Sequence, residues 1–308
     1  MPFWSRHVDG GKRSVERGAE RIAHRSGPSI RFDNLTLGYD GHPAVHHLSG
    51  VIRPGSLTAL VGPNGSGKST LLKALVGEVR PIEGRIEFDC ATNSRSAAGR
   101  IAYLPQQAVI DRSFPITVQD LVSLGLWNVI GAWNAPDRRD RERVAHALSA
   151  VGLEGFETRS IDRLSGGQLQ RALFARVLVQ DAELILLDEP FNAIDARTSE
   201  DLLRLIESWR QEHRTVVAVL HDLDLARERF PEALLLARRP VAWGAAPDVL
   251  TPANLLVARR MAEHWDDSAP VCSGDDRVMV APTDVVIEGG LRRTTPKDAP
   301  SQGPRRAA

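Results

Sequence analysis

The sequence predicts an α/β fold built on a mainly parallel sheet, and three observations carry that prediction. Short apolar runs end abruptly in polar residues: "SLTALV" stops at Gly62, "RIAYLP" at Gln106, "ELILL" at Asp188-Glu189 and "TVVAVL" at His221-Asp222. Uninterrupted apolar runs of this length suit strands buried on both faces, as in a parallel sheet covered by helices. Helices are readable between them, as "STLLKALVGEV", "QLQRALFARVLVQ" and "ARTSEDLLRLIESWRQEH". In open α/β sheets ligands bind at the carboxyl ends of the strands. Four strand ends carrying polar side chains therefore predict one shared site.

The remaining composition sets limits. The chain has 308 residues, 42% of them apolar, enough for one large domain with appendages or two small ones. Its formal net charge is zero, which gives no global pull toward nucleic acid or an anionic membrane surface. Cys90 and Cys272 lie far apart with no metal-ligand spacing, which fits a reducing compartment and not a disulfide framework. No segment approaches the roughly eighteen apolar residues of a spanning helix, and the N-terminus lacks the apolar stretch of a secretory signal. A soluble protein is expected, unless a partner carries it to a membrane.

Three zones follow. Residues 1–28 are Arg- and Gly-rich and read as a flexible arm. Residues 29–262 hold the alternating strands and helices. Residues 263–308 form a polar, Pro-rich tail, in which "DRVMVAPTDVVIE" is expected as a terminal hairpin.

The chemistry starts at "GPNGSGKST", residues 62–70, which matches G-x-x-x-x-G-K-[ST] with a strand before it and an amphipathic helix after it. Gly62, Gly65 and Gly67 let the backbone wrap, with Pro63, Asn64 and Ser66 between them, so that N–H groups face phosphate oxygens. Lys68 supplies a mobile point charge for the β- and γ-phosphates. Ser69 is placed to ligate Mg²⁺, and Thr70 lends a further hydroxyl. "ELILLDEP" adds Asp188, able to hold the metal's water shell, and Glu189, able to polarise an attacking water. Taken together the two motifs predict a nucleotide triphosphatase. A second anion-seeking feature then appears in "LSGGQ", 164–168, at the mouth of an apolar helix.

With these motifs in hand, the stretch 29–262 resembles the ATP-binding subunits of ABC transporters. That resemblance implies a P-loop NTPase (RecA-like) core with a mainly parallel sheet, an antiparallel β subdomain and an inserted helical signature subdomain at about 107–172. It assigns Tyr39 to stack on adenine, Gln106 to reach the metal and the attacking water, and His221 to face the γ-phosphate. Gln106 is preferred to its neighbour Gln107 because it directly follows the strand and Pro105. Asp195, in "NAID" where Ser-Ala-Leu-Asp is commoner, matches the loop that crosses to a second copy. Ser165, Gly166, Gly167 and Gln168 would cap the ATP held by that copy's Lys68, in a head-to-tail homodimer. ATP and Mg²⁺ are the implied cofactors.

The wording "SFPITVQDLVSLGLW" resembles importers of metal ions and iron chelates, and "EPFNAIDARTSEDLL", "VAVLHDLDLARERFPEALLLAR" and "DVLTPANLL" resemble the zinc and manganese importer group, the middle phrase being closest to zinc-uptake ATPases. The partners implied are integral membrane permease subunits and, indirectly, an extracytoplasmic solute-binding protein. The place implied is the cytoplasmic face of the cell membrane, with no nucleic acid involved. Within the helical lobe, "SFPITVQDLVSLGLW" fits either a docking groove or packing against its own core.

Rival readings are narrower. A DNA-repair relative would carry a long coiled coil between phosphate loop and signature; a ribosome-acting one usually carries two such domains. A non-catalytic ATP binder would be expected to lose one of Lys68, Asp188, Glu189 and His221. "HPAVHH" reads as a strand after the "DG" turn, so His46 and His47 are expected on opposite faces and unable to chelate one ion. His264, Asp266, Asp267 and Cys272 match no standard zinc spacing. The "DRRDRERVAHAL" run reads as a solvated helix face.

Overall fold

The computed structural model describes residues 27–40, 42–89, 101–106, 114–131, 134–192 and 194–263. Residues 1–26 and 264–308, with the expected terminal hairpin and the tail quartet around Cys272, and Gln107 thus lie outside the described residues.

Two sheets organise the chain. The larger has the order β5-β6-β7-β3-β8-β9, formed by Ile101–Leu104, Leu184–Asp188, Thr215–Val219, Leu57–Val61, Glu232–Ala237 and Arg239–Ala245. Its first five strands run parallel, and β9 returns antiparallel along β8. The four apolar runs read from the sequence are β3, β5, β6 and β7. Their uninterrupted character has a direct cause, because alternate residues feed two different cores. Leu57, Ala59, Ile185, Leu187, Val216 and Ala218 belong to one cluster, while Leu60, Leu184, Leu186, Val217 and Val219 belong to the other.

The smaller sheet is antiparallel, with β1 (Ser29–Tyr39) between β2 (His42–Ile52) and β4 (Glu83–Asp89). It closes the second core together with α1 (Lys68–Leu75), which contributes Leu71, Leu72 and Leu75. The first core is covered by α5 (Gly166–Gln180), α6 (Ala196–Gln211) and a helical lobe of α2 (Val118–Ser123), α3 (Trp127–Ile130) and α4 (Arg138–Ala150). In α2 and α4 a capping box sets the start: Thr117 with Asp120, and Asp137 with Asp140. The charge run in α4 keeps Val144, Ala147 and Leu148 inward and exposes Arg138, Arg139, Arg141 and Glu142 as a solvated face, while Arg143 turns in to donate to Val179 O. Next, α7 (Leu223–Arg229) leads into β8, and α8 (Ala246–Val249) and α9 (Pro252–Glu263) close the described chain. At the other end, Gly27 N–H donates to His213 O and the Thr215 hydroxyl donates to Pro28 O, which fastens the start of β1 beside the amino end of β7.

One expectation fails in β2. His46 and His47 do not face opposite sides; both are buried, 2% and 7% exposed, with ring centroids 6.3 Å apart. The register against β1 shifts between Leu35 and Leu37, and His47 takes φ +49°, so a bulge breaks the alternation. Among the described residues no group of three or more His, Cys, Asp or Glu side chains is placed to hold an ion. Burial, followed by the nearby charge of Arg239, His47 and Arg238, holds the His46 imidazole down to a pKa of about 4.

Candidate functional site

Between the end of β3 and the start of α1, the chain turns through the phosphate-loop sequence. Gly62 sits at φ +154° with its would-be Cβ 1.9 Å from Leu236 O, so no side chain fits there. Gly67, at φ +93°, abuts Ala44 O and Val45 in the same way. Gly67 caps α1 without a side-chain acceptor, and the first turn carries no acid, so its N–H groups and positive dipole end stay available for an anion. Lys68 Nζ donates to Gly62 O and Pro63 O, both at 2.9 Å, and lies across the loop. Burial lowers the Lys68 pKa, opposed by the carboxylates of Glu189 and Asp188.

A cavity of about 580 Å³ opens over this loop. Loop residues 64–70 line it together with Ala44, Gln106, Glu189 and His221. Four strand ends thus meet: β3 brings the loop, β5 brings Gln106, β6 brings Glu189 and β7 brings His221. Ala44 was not foreseen. It comes from the antiparallel sheet, and nothing in an alanine at that position of the sequence signals a cavity wall.

The acids divide the work by environment. Asp188, the last residue of β6, is 1% exposed; burial raises its pKa, while a hydrogen bond from the Ser69 hydroxyl opposes the rise. Its Oδ1 is buried with no hydrogen-bond partner. A buried carboxylate oxygen in want of a partner, beside a serine hydroxyl and within reach of the cavity, is a hard-oxygen donor set that suits Mg²⁺. The residues present therefore fit that ion. Glu189 takes φ +53°, a left-handed conformation that costs on the order of 1–3 kcal/mol outside glycine. Its N–H donates to Val219 O at 3.3 Å, and its Oε1 meets His221 Nε2 at 2.5 Å.

Other expected residues stand apart. Tyr39 is 48% exposed at the end of β1 and does not line the cavity. Ser165 caps α5 through a capping box: Gln168 N–H donates to Ser165 Oγ at 3.2 Å and Ser165 N–H donates to Gln168 Oε1 at 3.0 Å. Ser165 and Gly166 are exposed, Gly167 and Gln168 half-buried, and a Cβ on Gly166 would meet open space. None of the four lines the cavity. Asp195 caps α6 by accepting from Thr198 N–H at 3.0 Å and Thr198 Oγ1 at 2.8 Å. Those bonds, with a smaller contribution from Arg171, hold its carboxyl below the usual range. One chain therefore presents the loop-lined cavity and, elsewhere on its surface, an exposed helix start capped by Ser165.

Comparison with known proteins agrees with this geometry. The family model described as ABC transporter matches residues 45–192. The chain is 41% identical over 217 residues to a probable metal transport system ATP-binding protein of Chlamydia pneumoniae, covering 70% of this chain and 83% of that one. It is 38% identical over 223 residues to the zinc transport system ATP-binding protein TroB of Treponema pallidum, covering 72% and 84%. It is 35% identical over 253 residues to the manganese transport system ATP-binding protein MntB of Halalkalibacterium halodurans, covering 82% and 98%. Among solved structures, a metal-chelate type ABC transporter in an inward-facing conformation superposes with a TM-score of 0.65 at 29% identity, covering 76% and 89%. A dimeric ATP-binding cassette in a post-hydrolysis state with ADP and Pi gives 0.62 at 27% identity, covering 70% and 98%.

Proposed function

The chain belongs to the ABC transporter family, and from that membership we propose that it is the ATP-hydrolysing subunit that powers import of a divalent metal ion. The observation that carries the proposal is the convergence of the phosphate loop, Gln106, Glu189 and His221 on one cavity. In it the loop N–H groups and Lys68 bind the polyphosphate of ATP. Ser69, Asp188 and Gln106 would hold Mg²⁺, which when bound offsets phosphate charge. Glu189 takes the proton of the water that attacks the γ-phosphorus, and ADP leaves. His221, hydrogen-bonded to Glu189 Oε1, fixes the base and faces the γ-phosphate. Tyr39 is assigned to the adenine.

Two copies related by a twofold axis complete the site. Ser165, Gly166, Gly167 and Gln168 of one copy cap the γ-phosphate bound by the other, and Asp195 meets the same interface. The exposed start of α5 is consistent with that use. Hydrolysis removes the γ-phosphate charge that both copies grip, so nucleotide state shifts the population between closed and open dimers.

Among the described residues no helix is long and apolar enough to cross a membrane, so coupling requires permease subunits. In "SFPITVQDLVSLGLW" Val118, Leu121 and Val122 pack inward, while Phe114, Leu124 and Trp127 are exposed together with Val129 of the same lobe and leave a surface for docking. We assign that outer face to the permease, which places the subunit at the cytoplasmic face of the membrane. Delivery of the ion falls to an extracytoplasmic solute-binding protein.

Replacing Glu189 by Gln tests the mechanism. E189Q should bind ATP as a dimer and hydrolyse it at least about 100-fold more slowly, the usual contribution of a general base. A monomer with unchanged turnover would overturn the proposal. Relatives named for zinc and for manganese both match; the phrase "VAVLHDLDLARERFPEALLLAR" favours zinc. Growth and metal content of a deletion strain decide between them, zinc deficiency supporting the assignment and a defect confined to manganese refuting it.

A further inference from the structure

The β8–β9 pair turns back through a single residue. Ala237 pairs with Arg239, and Arg238 between them takes φ +60°. That left-handed region is unfavourable for any residue with a Cβ and ordinary only for glycine or, less so, asparagine. The strain coincides with a set of contacts made by the backbone at this point. Arg238 N–H donates to Ser66 O at 3.0 Å, and Arg238 O accepts from His46 N–H at 2.7 Å. Its Nη1 donates to Pro43 O at 3.3 Å. Two residues earlier, Leu236 O fills the space beside Gly62. One corner of the large sheet therefore holds the phosphate loop near both ends and ties β2 against it.

The orientation of one peptide unit follows. Peptide units are planar, and among the described residues all are trans. With the Ser66 carbonyl drawn outward to Arg238, the Gly67 N–H on the same unit points the opposite way, toward the cavity that Gly67 lines. Glycine at 67 leaves the unit otherwise free to flip, since no Cβ opposes rotation on that side. A flipped unit would present an acceptor oxygen to phosphate. We infer that Arg238 is a positioning residue: its backbone N–H locks the Ser66–Gly67 peptide with the donor facing a polyphosphate ligand. The inference rests on reading the cavity as the nucleotide site, and it adds a loop distant in sequence to the anion cradle.

The test separates backbone from side chain. Binding of MgATP and MgADP is measured by calorimetry for the wild type, R238G, R238N and R238V. Glycine and asparagine keep the left-handed turn and should bind both nucleotides within about two-fold of wild type. Valine, branched at Cβ, expels the turn and should weaken both by about ten-fold or more, the scale of one hydrogen bond to a charged group. In amide spectra, Gly67 should shift on ADP addition in the wild type and R238G but not in R238V. A purely structural role would leave that signature intact. Valine binding both ligands within two-fold overturns the inference, and so does equal weakening by all three variants, which would make the side chain the cause. Should R238V fail to fold, hydrogen exchange at the Arg238 amide of the wild type decides: protection supports the inference, and the rate of an open peptide sinks it. If the wild type binds neither nucleotide, the reading of the site fails, and amide protection still reports on the contact itself.

Discussion

Two glycines in the phosphate loop separate two kinds of necessity. At Gly62 an added Cβ would lie 1.9 Å from Leu236 O, a backbone atom with nowhere to go. At Gly65, φ +75° is strained for a side chain, yet a Cβ would meet nothing within 4 Å. G62A should therefore fail to accumulate as folded protein or lose more than about 3 kcal/mol, whereas G65A should lose about 1 kcal/mol, read by urea unfolding. His46 makes a pH-dependent contribution. Its folded pKa of about 4 lies below the ordinary value of 6.5, so the unfolded chain binds a proton that the fold excludes between those values. Stability should then be full above pH 6.5 and fall as pH drops toward 4, by a few kcal/mol. H46Q, neutral throughout, should flatten that part of the melting profile; an unchanged profile would show the imidazole is not its source. The need for glycine in this loop was legible in the motif, and the difference between positions 62 and 65 was not. A bulge, a left-handed glutamate at 189 and a left-handed arginine at 238 leave no mark in composition, because each is imposed by neighbours from other strands.

Elements were far more legible, for a physical reason. Strands β3, β6 and β7 are buried on both faces and the edge strand β5 on one face with the other half-buried, so their apolar runs stand out, and their polar endings mark the site where Lys68, Gln106, Glu189 and His221 meet. The antiparallel sheet was harder to read. In β4 every residue but Ile86 is exposed, so the alternation that identifies a strand is absent. Helix α5 offers the sharpest test here. Its capping box depends on the Ser165 hydroxyl, so S165A should lower stability by about 1 kcal/mol. The same substitution should reduce ATP turnover of the dimer well beyond that loss, because in the proposed dimer the hydroxyl also faces the second copy's phosphate. Turnover that merely tracks the stability change would restrict Ser165 to capping.

At the scale of the whole molecule, the arrangement explains why one chain carries two anion-seeking features that do not meet. The cavity and the start of α5 are separate on the surface, and in the proposed dimer a second copy brings them together. E189Q should accordingly elute at twice the monomer mass with ATP and at the monomer mass with ADP. The exposed face of the helical lobe makes an independent prediction. Trp127, 55% exposed, contributes to no core, so W127D should leave the ATPase rate of the isolated subunit within about two-fold while abolishing co-purification with the permease. Retained co-purification would move the docking surface elsewhere.

The anchoring of Gly27 and Pro28 beside the amino end of β7 bears on how the protein can be handled. Every reacting group sits past the carboxyl ends of these strands, roughly 15 Å away along a five-residue strand. An affinity handle or fluorophore fused ahead of Gly27 would leave the protein on the side away from the chemistry. Such a label can report on assembly without standing in the way of turnover.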